Sequence, residues 1–137
     1  DAYFQRPPPK STGTEKFNLD WVQTLLARHS DVAEADVQRT LLELTAITIA
    51  QQLPQQPGTT VFACGGGANN PVLMRELQRA CSPCKLTTTN HIGLAPQWVE
   101  PAAFAWLASQ TLQGRPGNLS EVTGAEGSRI LGAIYQA

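Results

Sequence analysis

Charge is scarce in this sequence. Only 15% of its 137 residues are Asp, Glu, Lys or Arg, and the two signs nearly cancel, leaving −1. No Lys/Arg run and no basic stripe interleaved with aromatics occurs, so the electrostatic footprint of a nucleic-acid binder is missing. Long apolar runs are missing too. Nothing approaches the roughly 20 residues that span a bilayer. The opening Asp1-Ala2-Tyr3-Phe4 lacks the charged-then-apolar pattern of a signal peptide. The expectation is therefore a cytoplasmic protein with neither nucleic acid nor membrane as a partner. Cysteine is sparse and odd in number, at three, which excludes a disulfide framework in the absence of a secretion signal. Cys81-Ser82-Pro83-Cys84 has redox spacing, but it falls where a helix closes and a strand begins. A redox pair instead opens a helix, whose dipole lowers the thiol pKa. Adding Cys64 and His91 produces no zinc-ligand spacing, so no metal site is expected. There is no Gly-x-Ser-x-Gly elbow, the two histidines His29 and His91 fall at a helix end and in a loop, and no carboxylates are paired for acid–base work.

Apolar residues make up 42% of the chain, enough for a core, and the length suits one domain or one lobe of a larger protein. Residues 1–17 read as an extended arm, because three prolines in Arg6-Pro7-Pro8-Pro9-Lys10-Ser11-Thr12-Gly13 remove donors and fix φ. Asn18 is an N-cap candidate for a helix running to about His29, broken by Ser30-Asp31. A longer helix is expected over 34–53. Its Val37, Leu41, Leu42, Leu44, Ile47 and Ile49 form a wide apolar surface suited to packing under a sheet. Pro54 to Gly58 is a turn. Thr60-Val61-Phe62-Ala63-Cys64 reads as a buried strand. Asn70 then caps a helix opened by Pro71 and ending near Ala80, and Lys85-Leu86-Thr87-Thr88-Thr89 reads as a second strand, so the middle is a βαβ-like unit. A loop over 90–97, an Ala-rich helix from about Trp98 to Leu112 and a polar loop over 114–128 follow. Ile130 to Tyr135 reads as a closing strand or short helix.

Three places carry candidate chemistry. Gly65, Gly66 and Gly67, followed by Ala68-Asn69-Asn70, leave a strand without Cβ atoms, so a ligand can approach the main chain. Their amides lie near a helix start, a favourable position for phosphate oxygens or a ribose edge. The segment is neither a Walker A loop nor a GxGxxG fingerprint, and a plain tight turn explains it as well. Glu100 opens the Ala-rich helix as the sole carboxylate between Glu76 and Glu121. Favouring the helix dipole is one role for it, and hydroxyl binding is another. Lys10, in the proline-led arm, is either a phosphate contact or a solvated cation.

Taken in order, the segments resemble the anhydro-N-acetylmuramic acid kinase family. The resemblance rests on Pro7 to Gly13 with Phe17-Asn18-Leu19, Asp36-Val37-Gln38 with Thr40 to Ala46, and Cys64 to Asn70. It continues through Glu100 with Ala103 to Ala108, Pro116-Gly117-Asn118-Leu119, Val122-Thr123-Gly124-Ala125 and Leu131 to Tyr135. It covers nearly the whole chain and corresponds to that family's C-terminal half. It implies an α/β fold, the C-terminal RNase-H-like lobe of the actin/hexokinase/Hsp70-like class, with a mixed sheet and flanking helices over 18–137. It also implies a two-lobe sugar kinase that uses ATP and Mg²⁺ to phosphorylate 1,6-anhydro-N-acetylmuramic acid with ring opening. The product is N-acetylmuramic acid 6-phosphate, an intermediate of peptidoglycan recycling. Gly65, Gly66, Gly67 and Asn69 match the nucleotide-contacting segment, and Glu100 matches a glutamate near the sugar and attacking water. The aspartate base and most sugar contacts belong to the N-terminal half, so this part by itself is expected to be inactive. Similar proteins often carry acidic residues where this chain has Ala95 and Gln97, and a small residue at Pro101, which implies an altered cleft rim. The alternative expectation is a non-catalytic interaction module, in which bare apolar surface drives homodimer formation.

Overall fold

The structure, a computed structural model, describes residues 1–29, 31–54 and 56–135; Ser30, expected to help end the first helix, lies outside them. The first helix, α1 (Leu19–Leu26), begins where Asn18 turns extended and its side-chain oxygen accepts the Trp21 N–H at 3.0 Å. The segment before it is not wholly extended. Asp1 caps a 3-10 turn over Ala2–Gln5, accepting the Tyr3 N–H at 2.8 Å. That turn folds back so that Phe17 lies 5.4 Å from Tyr3, 5.1 Å from Phe4 and 5.1 Å from Trp21, ring centroid to ring centroid. Burial of four aromatic faces against one another offsets the entropy of ordering the arm. No helix forms over residues 6–13, as the prolines dictate.

The long helix α2 (Glu34–Ala50) stops three residues earlier than the apolar pattern extends. Thr40, Thr45 and Thr48 return their hydroxyls to the carbonyls four residues back, at 2.7–2.9 Å, an ordinary way of satisfying a helix-face threonine. Its principal neighbour is α3 (Pro71–Ala80) rather than the sheet. Arg39 of α2 pairs with Glu76 at 2.9 Å, and Arg79 joins both Glu76 and Glu43 at 2.9 Å. Glu76 is buried, and its two guanidinium partners hold its carboxyl below the usual carboxylate range, the Arg39 hydrogen bond contributing most.

Strands β1 (Thr60–Ala63) and β2 (Lys85–Thr88) run parallel, with Thr60 opposite Lys85 and Ala63 opposite Thr88, and α3 crosses between them. This is the βαβ unit the spacing anticipates. Among the described residues the sheet has these two strands and no antiparallel member, so it is not mixed. The closing apolar run Ile130 to Tyr135 forms neither strand nor helix, because Gly132 turns the backbone at φ +91° and the run finds no partner strand. It lies instead along α4 (Val99–Leu112), where the Thr111 hydroxyl donates to the Leu131 carbonyl. The polar loop before it is pinned by Asn118, which accepts the Arg129 N–H at 2.6 Å, and contains a single helical turn, α5 (Ser120–Thr123).

The core is small. Ala50, Cys81 and Cys84 are buried together, with Leu53, Val61, Ala80 and Leu86 packed around them. Many large apolar side chains are left in contact with solvent, among them Phe104, Trp106 and Leu112 on α4. The accessible surface is 10187 Å², whereas a compact monomer of 14.8 kDa exposes about 7,000 Å². No helix of the described residues is long and apolar enough to cross a membrane.

Candidate functional site

The glycine corner begins where β1 ends. Cys64 leads into Gly65, whose φ of +77° and ψ of −174° place it in a backbone region open essentially to glycine alone. Gly66–Asn69 then form one 3-10 turn, with the Ala68 N–H reaching the Gly65 carbonyl at 3.2 Å and the Asn70 N–H reaching Gly67 at 3.0 Å. Asn70 starts α3, its side-chain oxygen accepting the N–H groups of Val72 (3.0 Å) and Leu73 (3.1 Å), with Pro71 in the first helical turn. That cap already fills the donors of the α3 N-terminus, so the amides open to a ligand belong to the 3-10 turn one step earlier. A Cβ placed on Gly65 or Gly66 would meet nothing within 4 Å, while one on Gly67 would touch Leu73 at 3.4 Å. Gly65 is thus required by its backbone angles, and Gly66 by neither angle nor packing. Gly65, Gly66 and Asn69 are exposed, so the corner is an open ledge. The apolar grooves of the chain lie elsewhere, for example between α4 and residues 131–134.

The ledge connects to Glu100. The Gly65 N–H donates to the Pro96 carbonyl at 3.1 Å, and Pro96 is buried at the head of a 3-10 turn (Pro96–Trp98) that runs straight into α4. Glu100 occupies the first turn of that helix and is exposed, with Pro101 beside it in the same turn. The structure therefore brings the start of the Glu100 helix to the glycine corner. Lys10 is not brought there. Its ammonium donates to the carbonyls of Tyr3 (3.3 Å) and Phe4 (3.1 Å) and lies 5.3 Å from the Tyr3 ring, so its charge helps fold the arm. Among the described residues no three His, Cys, Asp or Glu side chains stand together as metal ligands. Cys81 and Cys84 are buried and unpaired, Cys81 closing α3 and Cys84 preceding β2. Burial pushes the Cys81 thiol up, and the neighbouring Cys84 adds to it, the opposite of the shift that activates a nucleophilic thiol.

A family model described as anhydro-N-acetylmuramic acid kinase matches residues 1–137. The chain belongs to the anhydro-N-acetylmuramic acid kinase family. Curated members are similar along its whole length. A kinase of that name from Xylella fastidiosa is 52% identical over 139 residues, covering 100% of this chain and 36% of the relative. One from Burkholderia cenocepacia is 50% identical, covering 98% and 37%, and one from Coxiella burnetii is 49% identical with the same coverage. The chain thus spans little more than a third of the length of the curated relatives it matches.

Three residues of this family member escape a reading of the sequence alone. Pro96 anchors the corner through its carbonyl, which no side-chain pattern announces. Thr89, at the end of β2, is buried with a hydroxyl that finds no hydrogen-bond partner. Gln78, on α3, uses its carboxamide on the backbone around β2. Only the parallel register, which sets Thr88 beside Ala63 and so Thr89 beside the corner, reveals the position of the second.

Proposed function

We propose that this chain supplies the nucleotide-holding part of an anhydro-N-acetylmuramic acid kinase, as the C-terminal, RNase-H-like lobe. On this reading the aspartate base and most sugar contacts come from polypeptide outside it. The observation that carries the reading is the glycine ledge after β1: one residue forced into a glycine-only conformation, then a second whose missing side chain serves neither angle nor packing. An open backbone with unoccupied amides at the carboxyl end of parallel strands is where α/β proteins place nucleotide ligands. These residues fit ATP. Gly66, Gly67 and Asn69 would hold its ribose or phosphate edge by main-chain N–H groups and one carboxamide. ATP would supply the transferable phosphoryl group, and Mg²⁺ would offset the charge of its phosphates; among the described residues no cluster of ligands stands ready for the ion.

Glu100, reached from the ledge through Pro96, is the carboxylate this chain offers towards a sugar hydroxyl or a water. It acts as an orienting acceptor, because phosphoryl transfer depends on alignment more than on covalent help. Lys10 acts through the arm rather than on a phosphate. The same reading puts the protein in the cytoplasm, where ATP and recycled wall sugars meet. Calorimetric titration with ADP and Mg²⁺, together with backbone resonances of residues 65–70, tests the ledge. Saturable binding with shifts confined to the corner is expected, and a folded sample without either outcome refutes the reading. Sugar phosphorylation is expected only when the rest of the family polypeptide is supplied.

A further inference from the structure

We propose that Thr89 is a positioning residue of the glycine ledge: its hydroxyl stands unpaired in the arrangement described, and gains a main-chain acceptor when a nucleotide on the corner shifts the segment 89–96. This inference rests on the nucleotide reading and adds to it a residue that itself touches no ligand. Thr89 follows β2, and the register that sets Thr88 beside Ala63 carries it to the level of the corner. It is 7% exposed, and among the described residues its buried oxygen has no hydrogen-bond partner. The usual local outlets are closed to it. Thr89 is the first residue inside the 3-10 turn Thr89–Ile92, where the capping position belongs to Thr88 and no side chain caps the turn. Extended backbone precedes it, so the hydroxyl has no helical carbonyl to return to, as Thr40, Thr45 and Thr48 have on α2.

A valine would fill the same volume without the desolvation cost of an unpaired hydroxyl. Such groups are rare in native proteins and concentrate where function requires them. The surroundings say which function. Thr89 and Pro96 are the two buried residues of segment 89–96, and each fastens one end of it. The Thr89 carbonyl accepts the Leu94 N–H at 3.1 Å, folding the segment back at Gly93, whose φ is +82°. The Pro96 carbonyl accepts the Gly65 N–H at 3.1 Å. Gly65 is thus linked by one hydrogen bond to a short return whose far end holds the unpaired hydroxyl. No ligand reaches Thr89 directly, since its oxygen is closed to solvent. A nucleotide gripping the amides after Gly65 acts instead on Gly65, through it on Pro96, and so on the return. A small shift of that return lets the hydroxyl find an acceptor, and the hydrogen bond regained favours the bound arrangement. Because α4 begins directly after Pro96–Trp98, the same movement sets the position of Glu100.

The test compares T89V and T89S with the parent in thermal melts, titrations with ADP and Mg²⁺, and residue-resolved hydrogen exchange. Without nucleotide, T89V should melt roughly 3–5 °C higher, because it removes an unpaired buried hydroxyl. Its Kd for ADP should nevertheless rise about tenfold, because the bond that forms on binding is gone. T89S keeps the hydroxyl and should bind within about twofold of the parent. ADP should slow exchange at Gly65 and Leu94 in the parent and T89S, but not in T89V. A threonine that serves packing alone would move stability and affinity in the same direction. A T89V protein no more stable than the parent overturns the proposal, since the hydroxyl is then paired at rest, through protein or a bound water. Equal weakening of ADP binding in T89V and T89S overturns it too, since side-chain volume would then be the cause. The two readings separate: a parent that binds ADP while T89V binds it equally well sinks the Thr89 inference alone, and a parent that binds no ADP sinks the nucleotide reading on which the inference stands.

Discussion

Replacing Gly65 and Gly66 with alanine, one at a time, separates backbone necessity from ligand access. At Gly65 the Cβ meets no neighbour, so sterics with the surroundings contribute nothing, and the whole effect comes from φ +77° and ψ −174°. Holding alanine in that region costs about 1–3 kcal/mol. The alanine also stiffens the unfolded chain, which returns about 0.4–1 kcal/mol. The net loss is roughly 1–2 kcal/mol, or a fall in Tm of roughly 3–10 °C for a chain of this size. At Gly66 neither cost exists, and stability should stay within about 0.5 kcal/mol of the parent. The ordering reverses for ligand. G66A places a methyl group on the ledge where a nucleotide must approach, and its Kd for ADP should rise about tenfold, which corresponds to roughly 1.4 kcal/mol. Thermal melts and calorimetric titrations of the two variants read both quantities. A G66A protein that melts normally and binds ADP like the parent refutes the close-approach argument. A G65A protein of undiminished Tm refutes the backbone argument.

N70A removes the acceptor of two amides at the start of α3 and should cost about 1 kcal/mol of stability by chemical denaturation, with N70D close to the parent. Glu76 titrates below its unfolded value near 4.3. The stability it contributes is therefore fully present above that pH and is lost as pH falls through its lowered native value. A pH series of melts should show an acid-side decline that E76Q, less stable at neutral pH, shows only weakly. Native thiol titration should modify Cys64 readily and leave Cys81 and Cys84 unreacted until denaturant is added; fast reaction of the buried pair in folded protein contradicts the packing described.

The elements around the corner were legible because each carries its own local signal. Asn70-Pro71 announces a helix start whatever surrounds it, and the runs 60–63 and 85–88 are bounded by turns that leave little choice. The glycine triplet itself points to an open backbone. What remained hidden is set by distant partners. The apolar face of α2 reads as a sheet-packing surface, yet Arg39 and Glu43 direct it to α3 through Glu76 and Arg79, residues some 36 positions away. The closing run 130–135 has strand composition but pairs with neither strand, because Gly132 bends it along α4. In the arm, Pro7 to Pro9 point to extended chain, yet Asp1 caps a turn that lets Tyr3 and Phe4 reach Phe17. The open backbone of Gly65–Asn69 is legible in the glycine triplet, whereas the Pro96 carbonyl that ties the corner to the Glu100 helix is visible only in three dimensions.

That tie has an optical consequence. Trp98 sits two residues beyond the carbonyl that holds Gly65 and is 60% exposed. The other two tryptophans stand apart, Trp21 against the aromatic cluster of the arm and Trp106 midway along α4. Replacing Trp21 and Trp106 with phenylalanine would leave a single tryptophan attached to the ledge by one hydrogen bond, and its selectively excited emission would report in real time any ligand that disturbs the corner.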